Sequence, residues 1–144
     1  MRIYMLAAAI ALVPGLGRAC GTGETEVFSC TTMSGKTAQV CQAPKSIRYS
    51  FGRPGAASEM IVAVPNGGFV WHSDGGSSMH TSDLNFDIRG TRYVVLAKRY
   101  RDGDVPLDAE VRIERDDDKV VNLMCRNESV RLNEREITAI KAAH

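Results

Sequence analysis

The chain has 144 residues, 44% of them apolar and 24% charged, with 18 basic and 17 acidic side chains and a formal net charge of +1. That length accommodates one domain with a substantial core. A charge this close to zero excludes the broad positive field by which proteins hold nucleic acid or anionic membranes without further specificity.

The leading segment MRIYMLAAAIALVPGLGRA combines the charged Arg2, an apolar run from Ile3 to Val13, the break Pro14-Gly15, and the small residues Gly17 and Ala19 just before Cys20. This is the layout of a secretory signal. Its run of about 11 apolar residues falls short of the ~20 that cross a hydrocarbon core. We therefore expect residues 1–19 to be removed and residues 20–144 to form a single β domain, periplasmic or secreted. A lipid-modified start would also present a cysteine, but it wants an aliphatic residue three positions earlier, where Gly17 stands, and Arg18 spoils the approach further. Removal takes away Arg2 and Arg18 and no acid, leaving 16 basic against 17 acidic side chains. The mature chain contains no stretch apolar enough to cross a membrane as a helix.

Behind Cys20 the sequence is a succession of short alternating runs between turn signals, the mark of an antiparallel sheet structure. ETEVFSCTT and TAQVCQ surround Ser34-Gly35-Lys36, where glycine supplies a left-handed turn residue. Ile47, Tyr49 and Phe51 alternate with Arg48 and Ser50 up to Gly52-Arg53-Pro54-Gly55. Glu59 to Val64 reads as a more continuously apolar strand, stopped by Pro65-Asn66-Gly67-Gly68, and a short strand from Phe69 to His72 follows. WHSDGGSSMHTSD reads as a polar hairpin loop.

Leu84, Phe86 and Ile88 face one way and Asp83, Asn85 and Asp87 the other, a half-buried strand. Gly90 turns the chain into Thr91 to Tyr100, and RDGDVP leads to the alternation of Leu107, Ala109, Val111 and Ile113. Asp116 to Asp118 turn into a last strand, Lys119 to Cys125. Asn133 with Glu136 resembles a capping box for a short helix with Ile137 and Ile140 on its apolar side. The expected fold is all-β, a small antiparallel barrel or sandwich of about eight strands with a short C-terminal helix.

Cys20, Cys30, Cys41 and Cys125 are even in number and destined for an oxidising compartment, so they predict two disulfides. One scheme closes the first hairpin through Cys30–Cys41 and ties the ends through Cys20–Cys125. The rival scheme crosses these pairs and links the first hairpin to the last strand. Neither cysteine pair has the two-residue gap of a zinc knuckle.

The stretch VFSC, GKTAQVC and IRYSFGRPGAASEM resembles a group of small exported bacterial β proteins that share a cysteine-bearing first hairpin and a Tyr-x-Phe-Gly strand end. The resemblance covers residues 24–60, implies a periplasmic or secreted β protein, and assigns no catalytic residue. In size, export and disulfide bracing the chain is also similar to periplasmic lysozyme-inhibitor-type barrels, although their inhibitory loop is not recognisable here.

Candidate chemistry concentrates between Trp71 and Asp87. His72, Asp74 and His80 have the donor types of a zinc or copper site, but the same residues are ordinary in an exposed polar loop, and no metal or other cofactor is expected. There is no G-x-S-x-G elbow, the paired acids lie in solvated turns where nothing raises a pKa, and Asn127-Glu128-Ser129 is a common glycosylation triplet. The favoured function is a non-enzymatic binding module for an envelope or secreted protein or a small ligand, with Phe69, Trp71 and His72 as its surface, because aromatic side chains dominate binding hot spots. The alternatives are a metal-dependent hydrolase built on the His72–His80 loop and a purely structural envelope protein. The single tryptophan has an opposing reading as a core plug.

Overall fold

The computed structural model describes residues 20–103 and 107–142. The proposed signal segment and part of the RDGDVP loop lie outside these residues. The chain runs through β1 (Thr25–Thr31), β2 (Thr37–Gln42), β3 (Ser46–Gly52), β4 (Met60–Pro65), β5 (Phe69–Gly75), β6 (Met79–Ile88), β7 (Thr91–Tyr100), β8 (Asp108–Glu114) and β9 (Val120–Met124). A 3₁₀ turn (Asn127–Ser129), β10 (Arg131–Leu132) and helix α1 (Glu134–Ala142) complete it.

The strands form two five-stranded antiparallel sheets, ordered β10-β1-β2-β3-β4 and β5-β6-β7-β8-β9. The architecture is a sandwich and not a closed barrel. Ten strands exceed the expected number because β10 has only two residues, too few to show a period. Apart from β10, which comes from the far end of the chain to pair with β1, consecutive strands within each sheet are joined as near-neighbour hairpins, and the tightest is the two-residue turn between β6 and β7. Arg89 (φ +50°) and Gly90 (φ +82°) are both left-handed there, the backbone that matches strand twist in two-residue hairpins. A Cβ on Gly90 would stand 2.8 Å from the Asp116 carboxylate, a contact the exposed Asp116 side chain can relieve by moving, so the left-handed backbone is what favours glycine there.

Alternation decides the core. Phe28, Val40 and Tyr49 of the first sheet and Trp71, Leu84, Val95 and Val111 of the second are buried between the layers. Tyr49 reaches across the sandwich, its ring centroid 5.5 Å from Phe86 and 6.0 Å from Tyr93. Phe86 stacks on Tyr93 at 5.4 Å, and such pairs contribute about 0.5–1.5 kcal/mol beyond their buried area. Burial, followed by the neighbouring Tyr93, raises the Tyr49 phenol pKa, so the hydroxyl stays neutral.

The cysteines pair as Cys20–Cys41 and Cys30–Cys125, which corrects the hairpin-closing scheme. Cys30 is registered opposite Ala38, whereas Cys41 is opposite Glu26 on the same strand pair. Cys30 therefore turns into the core toward the end of β9, and Cys41 faces outward to the N-terminal segment. There Arg48 grips Glu24 at 2.9 Å and donates toward Cys41 Sγ at 3.5 Å.

Helix α1 starts as the Asn133/Glu136 spacing predicts, with the Glu136 N–H donating to Asn133 Oδ1 at 3.1 Å. The reciprocal half of the capping box is replaced by a tie to β1, because the Asn133 N–H donates to the Val27 carbonyl at 2.8 Å. Ile137 and Ile140 enter the core, and Arg99 of β7 pairs with Glu134 at 2.9 Å. The helix thus bridges the two sheets.

The two lateral seams between the sheets differ. Where β1 approaches β9, Thr32 bridges Cys125, the Met33 N–H donates to the Met124 carbonyl at 2.9 Å, and the Arg126 N–H donates to Thr31 at 2.8 Å. Ser129 Oγ accepts the Thr31 N–H at 2.8 Å, and the Cys30–Cys125 bond staples the same corner. At the other seam β4 and β5 share no ladder among the described residues, although only the turn Asn66–Gly68 separates them.

Candidate functional site

Phe69 and Trp71 begin the edge strand β5 and point between the sheets, 9% and 5% exposed. This corrects the expectation of an exposed aromatic surface and sides with the core-plug reading for the ring bodies. The physical reason is register: Phe69 lies opposite Phe86 and Trp71 opposite Leu84, both inward-facing. Alternation leaves Val70 and His72 on the outer face, and Val70 is 51% exposed.

The edges of the two aromatic residues nevertheless line a cleft of about 340 Å³, bounded by Gly67, Phe69, Val70 and Trp71 on the strand side and by Ile140 and Lys141 of α1. That volume lies at the small end of ligand pockets, and its lining has their apolar character. Trp71 Nε1 is buried and has no hydrogen-bond acceptor. An indole N–H is a donor only, and leaving such a group unpaired away from water costs about 1–3 kcal/mol. Among the described residues, Lys141 is the one ionisable side chain of this lining.

His72 sits outside the cleft. Its Nδ1 is 3.2 Å from Asp83 Oδ2 and 3.3 Å from Asn85 Nδ2, and Asn85 also donates to Asp83. This is an exposed polar cluster on the outer face of the second sheet, with the imidazole 63% exposed. The segment read as a loop is ladder almost throughout: β5 and β6 pair down to Gly75 opposite His80, leaving Gly76, Ser77 and Ser78 as the turn. Because His72 is paired with Asp83, and His80 is three residues from Asp83, the pleat sends the two imidazoles to opposite faces. Asp74 shares the His72 face. The loop-metal arrangement therefore fails on geometry, and no group of three or more His, Cys, Asp or Glu with metal-holding placement occurs among the described residues.

Nothing in the sequence places the helix, and with it Ile140 and Lys141, beside β5. The signal present was limited to an apolar helix side with a cation beside it. Comparison of the chain with protein-family models, curated proteins and solved structures gives no match.

Proposed function

We propose that the protein is an exported, non-enzymatic binding module whose ligand enters the cleft between β5 and α1. The observation that carries this reading is the cleft of about 340 Å³ whose walls are Phe69, Val70, Trp71 and Ile140, with Lys141 beside them. A ligand with an apolar body and an anionic group would cover Phe69, Val70 and Ile140 and meet the Lys141 ammonium. Export is supported by the character of residues 1–19 and by two disulfides, which persist in oxidising compartments. A binding role, and not catalysis, is supported by the lining itself: with Lys141 as its sole ionisable residue among those described, the cleft offers no acid–base pair to move a proton.

The test is titration with 8-anilinonaphthalene-1-sulfonate, an apolar anion with acceptor oxygens, read by its own fluorescence and by Trp71 emission. Saturable one-to-one binding is expected, weakened about tenfold by Val70→Glu, which places a charge at an exposed wall position. Trp71→Phe, which keeps a ring and removes part of the aromatic wall, should weaken it by a smaller factor. Thermal melts establish that both variants are folded. Binding that is absent, or that is indifferent to both substitutions in folded protein, overturns the reading.

A further inference from the structure

We infer that the Cys20–Cys41 bond is a thiol-exchange site: a small external thiol joins Cys20 as a mixed disulfide, while Cys41 leaves as a thiolate held by Arg48. The Cys30–Cys125 bond stays closed under the same conditions.

The two disulfides differ in what can reach them. Cys30 and Cys125 are 1% and 3% exposed, and their bond staples the seam that the Thr32–Cys125 bridge and the Met33–Met124 hydrogen bond hold shut. Cys41 is fully buried, but Cys20 is only half-buried and stands ahead of β1. Exchange requires a thiolate to reach one sulfur of the pair. In the Cys20–Cys41 pair the open end is Cys20, so Cys20 Sγ is the atom attacked and Cys41 Sγ the atom that leaves. Folding also protects the two bonds unequally, because a cross-link with a separation of 95 restricts the unfolded chain more than one of 21.

Arg48 is placed to help the departing sulfur. Exchange is faster when the leaving thiol has a lower pKa, and a neighbouring arginine lowers a thiol's pKa. Arg48 Nη2 donates toward Cys41 Sγ at 3.5 Å, a contact that becomes charge-assisted once that sulfur is an anion. Glu24 fixes the guanidinium through Nε at 3.1 Å and Nη2 at 2.9 Å. Its carboxylate offsets part of the positive charge but leaves the N–H aimed at sulfur. The N-terminal arm is anchored apart from the disulfide, since Glu24 N–H donates to the Gly21 carbonyl at 3.0 Å and Gly21 N–H to Glu24 Oε1 at 2.7 Å. The bond can therefore open without unfolding the domain.

The step balances without an oxidant. The external thiol loses its proton to solvent, and its thiolate gives an electron pair to Cys20 Sγ. The Cys20–Cys41 bond breaks with its pair moving to Cys41 Sγ, so one disulfide and one thiolate give one disulfide and one thiolate. Return attack by Cys41 reverses the modification.

The probe is reduced glutathione, added to the purified, oxidised protein under native conditions. Samples are quenched in acid, denatured, alkylated with N-ethylmaleimide and mapped by peptide mass. Glutathione is expected on Cys20 and maleimide on Cys41, with Cys30–Cys125 opening at least about tenfold more slowly. Arg48→Gln, which removes the cation, should slow the reaction at Cys20 at least about threefold, and Arg48→Lys should keep most of the rate. An Arg48 that served only to hold the arm would give the opposite result, because loosening Glu24 exposes the bond and speeds exchange. Circular dichroism shows whether each variant is folded; should Arg48→Gln not fold, the adduct position and the order of opening in the parent protein decide alone. Glutathione on Cys41, equal rates at the two disulfides, or unchanged or faster exchange in folded Arg48→Gln overturns the inference.

Discussion

Replacing Cys30 and Cys125 together by alanine opens a covalent loop with a sequence separation of 95, whereas replacing Cys20 and Cys41 opens one of 21. In the chain-entropy account of cross-links, losing the long loop costs about 4.7 kcal/mol and losing the short one about 3.4 kcal/mol at 25 °C. The gap widens in the native state. Cys30 and Cys125 are both buried, and their bond staples the seam carried by the Thr32–Cys125 bridge, while in the other pair Cys41 is equally buried and Cys20 is only half-buried. At roughly 4 °C per kcal/mol for a domain of this size, the Cys30→Ala/Cys125→Ala protein should melt about 15–20 °C below the parent. The Cys20→Ala/Cys41→Ala protein should melt about 10–15 °C below it. Urea denaturation followed by far-ultraviolet circular dichroism gives the order, and non-reducing peptide mapping gives the pairing. An equal or larger loss on opening the short loop, or a recovered Cys30–Cys41 peptide, would refute the reasoning.

Two further outcomes follow from local geometry. The hydrogen bond from Arg48, assisted by the Gly21 N–H, holds the Glu24 carboxyl below the ordinary carboxylate range against a smaller opposing effect of burial. The unfolded chain therefore takes up a proton there first as pH falls. This contribution is present above the unfolded value of about 4.3 and is lost as pH drops through the lower folded value. Glu24→Gln should cost about 1 kcal/mol at pH 7, and the difference from the parent should shrink progressively as pH falls below the unfolded value; denaturation at several pH values measures it, and a deficit independent of pH sinks the account. His72→Ala combined with His80→Ala should change stability by no more than about 0.5 kcal/mol and leave the dye affinity of the cleft intact, because one imidazole lies on the outer face and the other at the far end of the β5–β6 hairpin. Calorimetric zinc titration of parent and variant adds a sharper check: tight binding abolished by the double change would restore the metal reading.

Much of the fold was legible along the chain because strand burial imposes a period of two that survives in the residue pattern. Leu84, Phe86 and Ile88, and equally Ala109, Val111 and Ile113, announced both the strand and its buried face. Asn133 announced the helix cap. What alternation does not carry is length through polar residues: β5 and β6 continue past His72 and back to Met79 because ladder hydrogen bonds are indifferent to side-chain polarity. The same pattern is silent on strand register, so it did not show that Phe69 and Trp71 stand beside Phe86 and Leu84 on the inward face of one sheet. Nor does local sequence encode contacts made by distant segments. The Cys30–Cys125 pairing, the arrival of Ile140 and Lys141 beside β5, and the contrast between a stapled and an open seam arise only when two meanders are stacked and a helix from the far end of the chain is laid between them. By itself the sequence determined a disulfide-braced antiparallel β domain with a capped C-terminal helix; tertiary packing decided where that domain is left open.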